Sequence, residues 1–126
     1  MTQPIRILHL EDDPNDAELV AMQLSAEGLT HDLVRVKSEA EFSAALDKHT
    51  FDVILADNSG PRFSGREALA LARKKHPAVP FLFVSGSLEG EAAIAAMKSG
   101  SDGYVVKHRL SELIPAIQHA LDTKNK

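Results

Sequence analysis

The sequence contains no cysteine and no tryptophan, and it has no long apolar run. Without cysteine, the chain cannot form disulfides, use a thiol nucleophile or bind zinc or iron–sulfur clusters through thiolates. No stretch approaches the ~20 apolar residues of a membrane-spanning helix, and the amino-terminal residues lack the apolar core of a signal peptide. We therefore expect a cytoplasmic domain that does not enter a membrane.

Positive charge is not in excess either, since 14 Lys and Arg residues stand against 18 Asp and Glu residues, for a net charge of −4. No basic block stands out, so we do not expect this chain to bind nucleic acid by itself. The chain also lacks the HExxH, GxxxxGK[ST] and GxSxG motifs of zinc, nucleotide and serine-hydrolase sites. His9 lies inside an apolar run and is interpreted as a packed core residue rather than a metal ligand.

The apolar pattern predicts five strands alternating with five helices in a single domain over residues 1–126, with its core over about 4–122. The predicted strands cover residues 5–10, 32–36, 52–56, 81–84 and 104–106. Helix-start signals occur at Asp13-Pro14, at Ser38 with Glu41 and at Ser64 with Glu67. A fourth helix is predicted over residues 91–99, and a fifth is lined by Leu110, Ile114, Ile117 and Leu121.

Five such units predict an open, doubly wound α/β sheet, because a closed barrel of this type needs eight units and ~250 residues. Ligands of these sheets bind at the carboxyl ends of the strands. Polar residues follow four of the predicted strands at that edge: Glu11, Asp12, Asp13, Asp57, Ser85 and Lys107. Each of these residues, taken alone, is of a type that is common in loops and on protein surfaces, and Asp13 is best explained as a helix N-cap. Their convergence on one edge indicates a site.

The chemistry of this edge favours a divalent cation and a phosphoryl group. Clustered carboxylates repel one another unless a cation lies among them, and Mg²⁺ prefers oxygen ligands. With the metal bound, Ser85 and Lys107 become donors for a phosphoryl anion. The simplest reaction is phosphoryl transfer to an acid, and Asp57 is the candidate acceptor.

The chain resembles the receiver domain of two-component response regulators over nearly its whole length. The segments that carry the resemblance are ILHLEDDPND, DVILADNSGP, FLFVSGS and GSDGYVVK. The resemblance implies a flavodoxin-like (βα)5 fold with a parallel sheet of order 2-1-3-4-5 and helices on both faces. The EDDPND opening and the Lys107-His108-Arg109 stretch are similar to receivers associated with hybrid sensor kinases.

The resemblance also implies a role for each residue at the predicted site. Asp57 is the phosphoacceptor and contributes to Mg²⁺ binding. Asp12 would bind the metal directly, Glu11 would bind it through water, and the Ser59 carbonyl would complete the protein ligands.

Ser85 takes the position of the family's hydroxyl, Lys107 that of the lysine that neutralises the phosphoryl oxygens, and Tyr104 that of the switch aromatic. The implied donor is a histidine kinase or phosphotransfer protein. The implied outputs are a downstream protein, fused domains or a second copy of the chain. Such a protein catalyses only its own phosphorylation and dephosphorylation, so we do not expect an enzyme.

Two segments depart from the family pattern. His108 follows Lys107 where the family usually has proline, often after a cis peptide bond. A cis bond before a residue other than proline costs about 2.5–4 kcal/mol, so we expect a trans bond here. Residues 58–61, NSGP, are more polar than usual around the metal-binding carbonyl.

Two other functions compete with the receiver interpretation. An Mg²⁺-dependent phosphohydrolase with an aspartyl nucleophile would carry that nucleophile in a DxD motif after the first strand, whereas this chain has Glu11-Asp12-Asp13 there. A docking module that cannot be phosphorylated is disfavoured because every required chemical group is present.

Overall fold

The computed structural model describes residues 4–57, 63, 65–85 and 100–124. The strands are β1 (Ile5–Leu10), β2 (His31–Val36), β3 (Val53–Ala56), β4 (Phe81–Ser85) and β5 (Gly103–Val106). The helices are α1 (Pro14–Ala26), α2 (Glu39–Lys48), α3 (Gly65–Lys75) and α4 (Leu113–Lys124), and a 3₁₀ segment (Lys107–Glu112) precedes α4. All five predicted strands are confirmed, with ends that differ by at most one residue.

The strands form one parallel sheet of order β2-β1-β3-β4-β5, as the resemblance implied. Its register decides which loops meet. Leu10 pairs with Ala56, so the residues that follow β1 and β3 emerge side by side at the carboxyl edge. Ser85 pairs with Val106 in the same way at the ends of β4 and β5. The strand order reverses between β1 and β3, which is where such sheets bind ligands.

Two apolar clusters cover the two faces of the sheet, because side chains alternate along each strand. In β4, Phe81 and Phe83 join one cluster, while Leu82 and Val84 join the other. The α2–α3 cluster also contains Phe42, Ala45, Leu46, Ala68, Leu69 and Ala72. The α1–α4 cluster also contains Val20, Leu24, Leu113, Ile114, Ile117 and Ala120. The predicted arrangement of helices on both faces is thus confirmed.

The helix boundaries follow from local chemistry where the structure describes them. Asp13 caps α1, and the Ser38 hydroxyl accepts a hydrogen bond from the Glu41 amide at 3.2 Å. Gly28, with φ of 75°, follows the end of α1 and donates its amide to Ser25. That left-handed conformation favours glycine. The predicted Ser64 cap and the predicted helix over 91–99 lie outside the described residues.

The predicted placement of Leu110 on the last helix is wrong. Leu110 lies in the 3₁₀ segment, where Arg109 has non-helical dihedral angles (φ −131°, ψ 48°), and α4 begins only at Leu113. Pro115 is tolerated because it lies in the first turn of α4, where its missing amide has no intrahelical acceptor. The predicted trans bond between Lys107 and His108 is confirmed. Within the described ranges, none of the helices combines the length and apolarity needed to span a bilayer.

Candidate functional site

The loop after β1 presents three consecutive acids that the fold treats differently. Glu11 is buried, its amide donates to the Val36 carbonyl at 3.0 Å, and its carbonyl accepts from Arg35 Nε at 2.9 Å. Asp13 is exposed and accepts from the Asn15 amide at 2.8 Å, which confirms it as the N-cap of α1. Asp12, between them, is exposed to solvent. The fold therefore holds Glu11 in the protein and leaves Asp12 accessible.

Asp57 follows β3 and joins this loop. Its amide donates to the Leu10 carbonyl at 3.1 Å, which fixes the end of β3 against the end of β1. It is only 8% exposed. Carboxylate oxygens of Glu11, Asp12 and Asp57 all lie within 4.8 Å of one another. Three negative groups this close together need a cation among them or must take up protons.

The donor set of this three-acid group fits Mg²⁺. All three donors are hard carboxylate oxygens, and the exposed Asp12 leaves room for the waters that Mg²⁺ retains. The fourth ligand implied by the resemblance, the Ser59 carbonyl, lies outside the described residues, as does the rest of the polar segment 58–61. The predicted clustering of Glu11, Asp12 and Asp57 is therefore confirmed, and the metal site with its complete ligand set stays a prediction.

Lys107 places its ammonium beside the same acids. Its Nζ lies 2.7 Å from Glu11 Oε1, 2.7 Å from Asp16 Oδ2 and 3.2 Å from Asp57 Oδ2. Burial acts to lower the pKa of Lys107, but the hydrogen bonds to Asp16 and Glu11 and the charge of Asp57 outweigh it. The pKa of Lys107 consequently lies above its ordinary value, and the side chain stays positively charged.

Glu11 and His9, which lie near this ammonium, differ from Lys107 because burial is the dominant influence on their pKa values and favours their neutral forms. Burial raises the pKa of Glu11 from 4.5 to about 7, and the Asp57 charge adds to that increase while Lys107 opposes it. Burial also lowers the pKa of His9 to about 4, with contributions from the charges of Lys107 and Arg35. His9 is fully buried, which confirms it as a core residue, but neither ring nitrogen has a hydrogen-bond partner.

The two residues expected to take part in switching are described only in part. Ser85 ends β4 beside Val106, and its side chain lies outside the described part of the structure. Tyr104 lies on β5 opposite Phe83 and packs, partly buried, against the α2–α3 cluster. The predicted roles of Ser85, as a hydrogen-bond donor to the phosphoryl group, and of Tyr104, as the switch aromatic, stay predictions.

Sequence reasoning missed Asp16, which contacts Lys107 as closely as Glu11 does. Asp16 lies in the first turn of α1, where an acid is commonplace because the helix dipole favours it. Only its position one turn beyond the acidic loop hinted at the site, and that signal does not distinguish a functional carboxylate from a solvated one.

Comparison with known proteins agrees with this geometry. The family model described as "Response regulator receiver domain" matches residues 7–118. The probable transcriptional regulatory protein TcrX of Mycobacterium tuberculosis is 31% identical over 105 residues, which cover 83% of this chain and 44% of TcrX. The chain spans about half or less of the curated relatives that it matches.

Solved structures show the same fold. A CheY-like response regulator receiver domain from Methanospirillum hungatei has a TM-score of 0.82 and 25% identity, covering 98% of both chains. The receiver domain of the sensor histidine kinase PA1611 from Pseudomonas aeruginosa has a TM-score of 0.81 and 20% identity. It covers 95% of this chain and 99% of that one, and its crystal structure contains a magnesium ion in the active-site cleft.

Proposed function

Because this chain belongs to the response regulator receiver domain family of two-component systems, we propose that it accepts a phosphoryl group on Asp57 from the phosphohistidine of a partner protein. The observation that carries the proposal is the position of Asp57. It lies at the carboxyl end of β3, within the three-acid group and 3.2 Å from the Lys107 ammonium. An oxygen nucleophile, a candidate cation site and a fixed positive charge thus meet at one carboxylate.

In the proposed reaction, an Asp57 oxygen attacks the phosphorus atom of the phosphohistidine. The phosphorus–oxygen bond forms as the phosphorus–nitrogen bond breaks, and the electron pair of the broken bond stays on the imidazole nitrogen of the donor histidine. The imidazole leaves as a neutral ring when its other nitrogen carries a proton. Glu11, Asp12 and Asp57 would hold Mg²⁺, which supplies positive charge for the equatorial phosphoryl oxygens when bound. Lys107 supplies the remaining positive charge from the protein, and its raised pKa keeps that charge in place at neutral pH.

The metal assignment is part of the proposal. Its support is the hard-oxygen chemistry of the three-acid group and the magnesium found in the cleft of a protein of the same fold. The predicted partners are a histidine kinase or phosphotransfer protein as donor, and a downstream protein, fused domain or second copy as target. We place the reaction in the cytoplasm, as the sequence led us to expect.

The test is intact-protein mass spectrometry after incubation with acetyl phosphate and Mg²⁺. One acid-stable, base-labile phosphoryl group should be added, and a chelator should prevent its addition. Asp57→Asn should remain unlabelled, whereas Asp13→Asn should be labelled like the wild type because asparagine also caps helices well. Labelling of Asp57→Asn at the wild-type rate would refute the assignment.

The competing phosphohydrolase function makes a different prediction in a second assay. We propose that the chain turns over no external substrate beyond the slow loss of its own phosphoryl group, so with p-nitrophenyl phosphate and Mg²⁺ any early release of nitrophenol should be matched by phosphorylated protein in a comparable amount. Release of many equivalents while little phosphorylated protein accumulates, lost in Asp57→Asn, would identify a phosphohydrolase instead.

A further inference from the structure

Asp16 contacts the Lys107 ammonium from the first turn of α1. Its Oδ2 lies 2.7 Å from Nζ, closer than the 3.2 Å between Nζ and Asp57 Oδ2. Its side chain is 30% exposed, whereas that of Lys107 is 13% exposed. The proposed chemistry gives a role to Glu11, Asp12, Asp57 and Lys107 but none to Asp16.

The Lys107 ammonium is already engaged by three carboxylates. Its Nζ donates hydrogen bonds to Asp16 Oδ2 and Asp57 Oδ2 and forms an ion pair with Glu11 Oε1 at 2.7 Å. A phosphoryl oxygen on Asp57 therefore competes with these carboxylates for Nζ.

Asp16 differs from the other two acceptors in its relation to the metal. Glu11 and Asp57 belong to the three-acid group, so their oxygens would be drawn towards a bound cation. Asp16 is not a member of that group among the described residues, so its contact with Lys107 does not compete with metal binding. The contact with Asp16 is therefore the one that persists when a cation is bound, and it holds Nζ on the α1 side of the pocket.

We propose that Asp16 is a positioning residue that restrains Lys107 on the α1 side of the pocket and thereby slows phosphorylation of Asp57. This inference rests on the proposed function. Two effects act in the same direction. The contact with Asp16 opposes any movement of Nζ towards the phosphoryl oxygens, and the negative charge of Asp16 opposes the approach of a phosphoryl anion.

The decisive variant is Asp16→Asn, which keeps the size of the side chain and removes its charge. The initial rate of phosphorylation by acetyl phosphate, at saturating Mg²⁺, is followed by intact-protein mass spectrometry because the chain has no tryptophan for fluorescence. In this reaction the phosphorus–oxygen bond to acetate breaks as the bond to Asp57 forms. The variant should react about three- to fivefold faster, the range expected for a partly exposed ion pair.

Two control variants separate positioning from a general effect of charge. Asp16→Glu keeps the carboxylate and should restore a rate close to that of the wild type. Asp47→Asn removes another short ion pair, between Asp47 of α2 and Lys75 of α3 at 2.6 Å, whose residues lie on neither α1 nor the 3₁₀ segment. It should leave the rate unchanged. Melting temperatures of all variants, measured without Mg²⁺, establish that each is folded.

A second readout does not depend on phosphorylation. The side-chain ¹³Cε and ¹⁵Nζ resonances of Lys107, measured by NMR without Mg²⁺, should shift in Asp16→Asn and stay in place in Asp47→Asn. A rate for Asp16→Asn that is equal to or below that of the wild type would overturn the inference, as would an unmoved Lys107 resonance. A wild-type protein that acquires no phosphoryl group would instead refute the proposed function, and the resonance would still report whether Asp16 restrains Lys107.

Discussion

Replacing Glu11 by glutamine should change how the stability of the fold depends on pH. The Glu11 side chain has no exposed surface, and burial raises its pKa from 4.5 to about 7 although Lys107 lies beside it. The folded state thus binds this proton more tightly than the unfolded state does. The stabilising contribution is complete below pH 4.5 and is lost as the pH rises through about 7. Glutamine resembles the protonated acid at every pH, so Glu11→Gln should not show this loss.

The size of the effect follows from the two pKa values. A shift from 4.5 to about 7 corresponds to a loss of about 3 kcal/mol in the free energy of unfolding once the group is ionised in both states. Less than about 1 kcal/mol of this is lost at pH 5, and nearly all of it is lost at pH 8.5. The stability of the variant relative to the wild type should therefore grow by about 2–3 kcal/mol between these pH values, or by about 10 °C in Tm.

The assay is thermal denaturation followed by far-ultraviolet circular dichroism at pH 5, 7 and 8.5, with a chelator present to remove divalent cations. Glu18→Gln is the matched control because Glu18 is an exposed glutamate on α1. Comparing variant with wild type at each pH cancels the titration of all other groups. If the difference in Tm between Glu11→Gln and wild type is the same at all three pH values, the burial argument for Glu11 is wrong.

Two further predictions concern the metal and the buried histidine. Mg²⁺ should raise the Tm of the wild type because it binds only the folded chain, and Asp12→Ala should lose most of that increase while gaining stability in chelator, since one repelling charge is gone. A full Mg²⁺-induced increase in Asp12→Ala would place the metal elsewhere. His9→Leu should be about 1 kcal/mol more stable than the wild type in urea titrations, because burial of a polar ring without hydrogen-bond partners is costly. A destabilised variant would show that the imidazole contributes a favourable interaction in solution.

Much of the fold could be predicted because its signals are local. The strands are short apolar runs. A nearly continuous apolar run of this length is typical of a strand in a parallel sheet, because helices cover such a sheet on both faces. Asp13 and Ser38 mark helix starts because their side-chain oxygens accept backbone amides a few residues ahead. The edge that carries Glu11, Asp57 and Lys107 was also predictable, since parallel strands all end on the same side of a sheet. The start of α4 was not, because Leu110 has the apolar spacing of the helix while the backbone at Arg109 interrupts it.

The sequence by itself thus determined the order of strands and helices, the carboxyl edge of the sheet and the chemical types that meet there. The tertiary structure decided how deeply each of these groups is buried and which distant residues it contacts. Glu11 and Asp12 are adjacent acids, yet the fold buries Glu11 and exposes Asp12, and burial raises the pKa of Glu11. The contact between Asp16 and Lys107 joins residues 91 positions apart and depends on how α1 is rotated against the end of β5. Burial and long-range ion pairs arise where two surfaces pack together. The residues of the two surfaces are far apart in the sequence, so local sequence patterns do not reveal the contact.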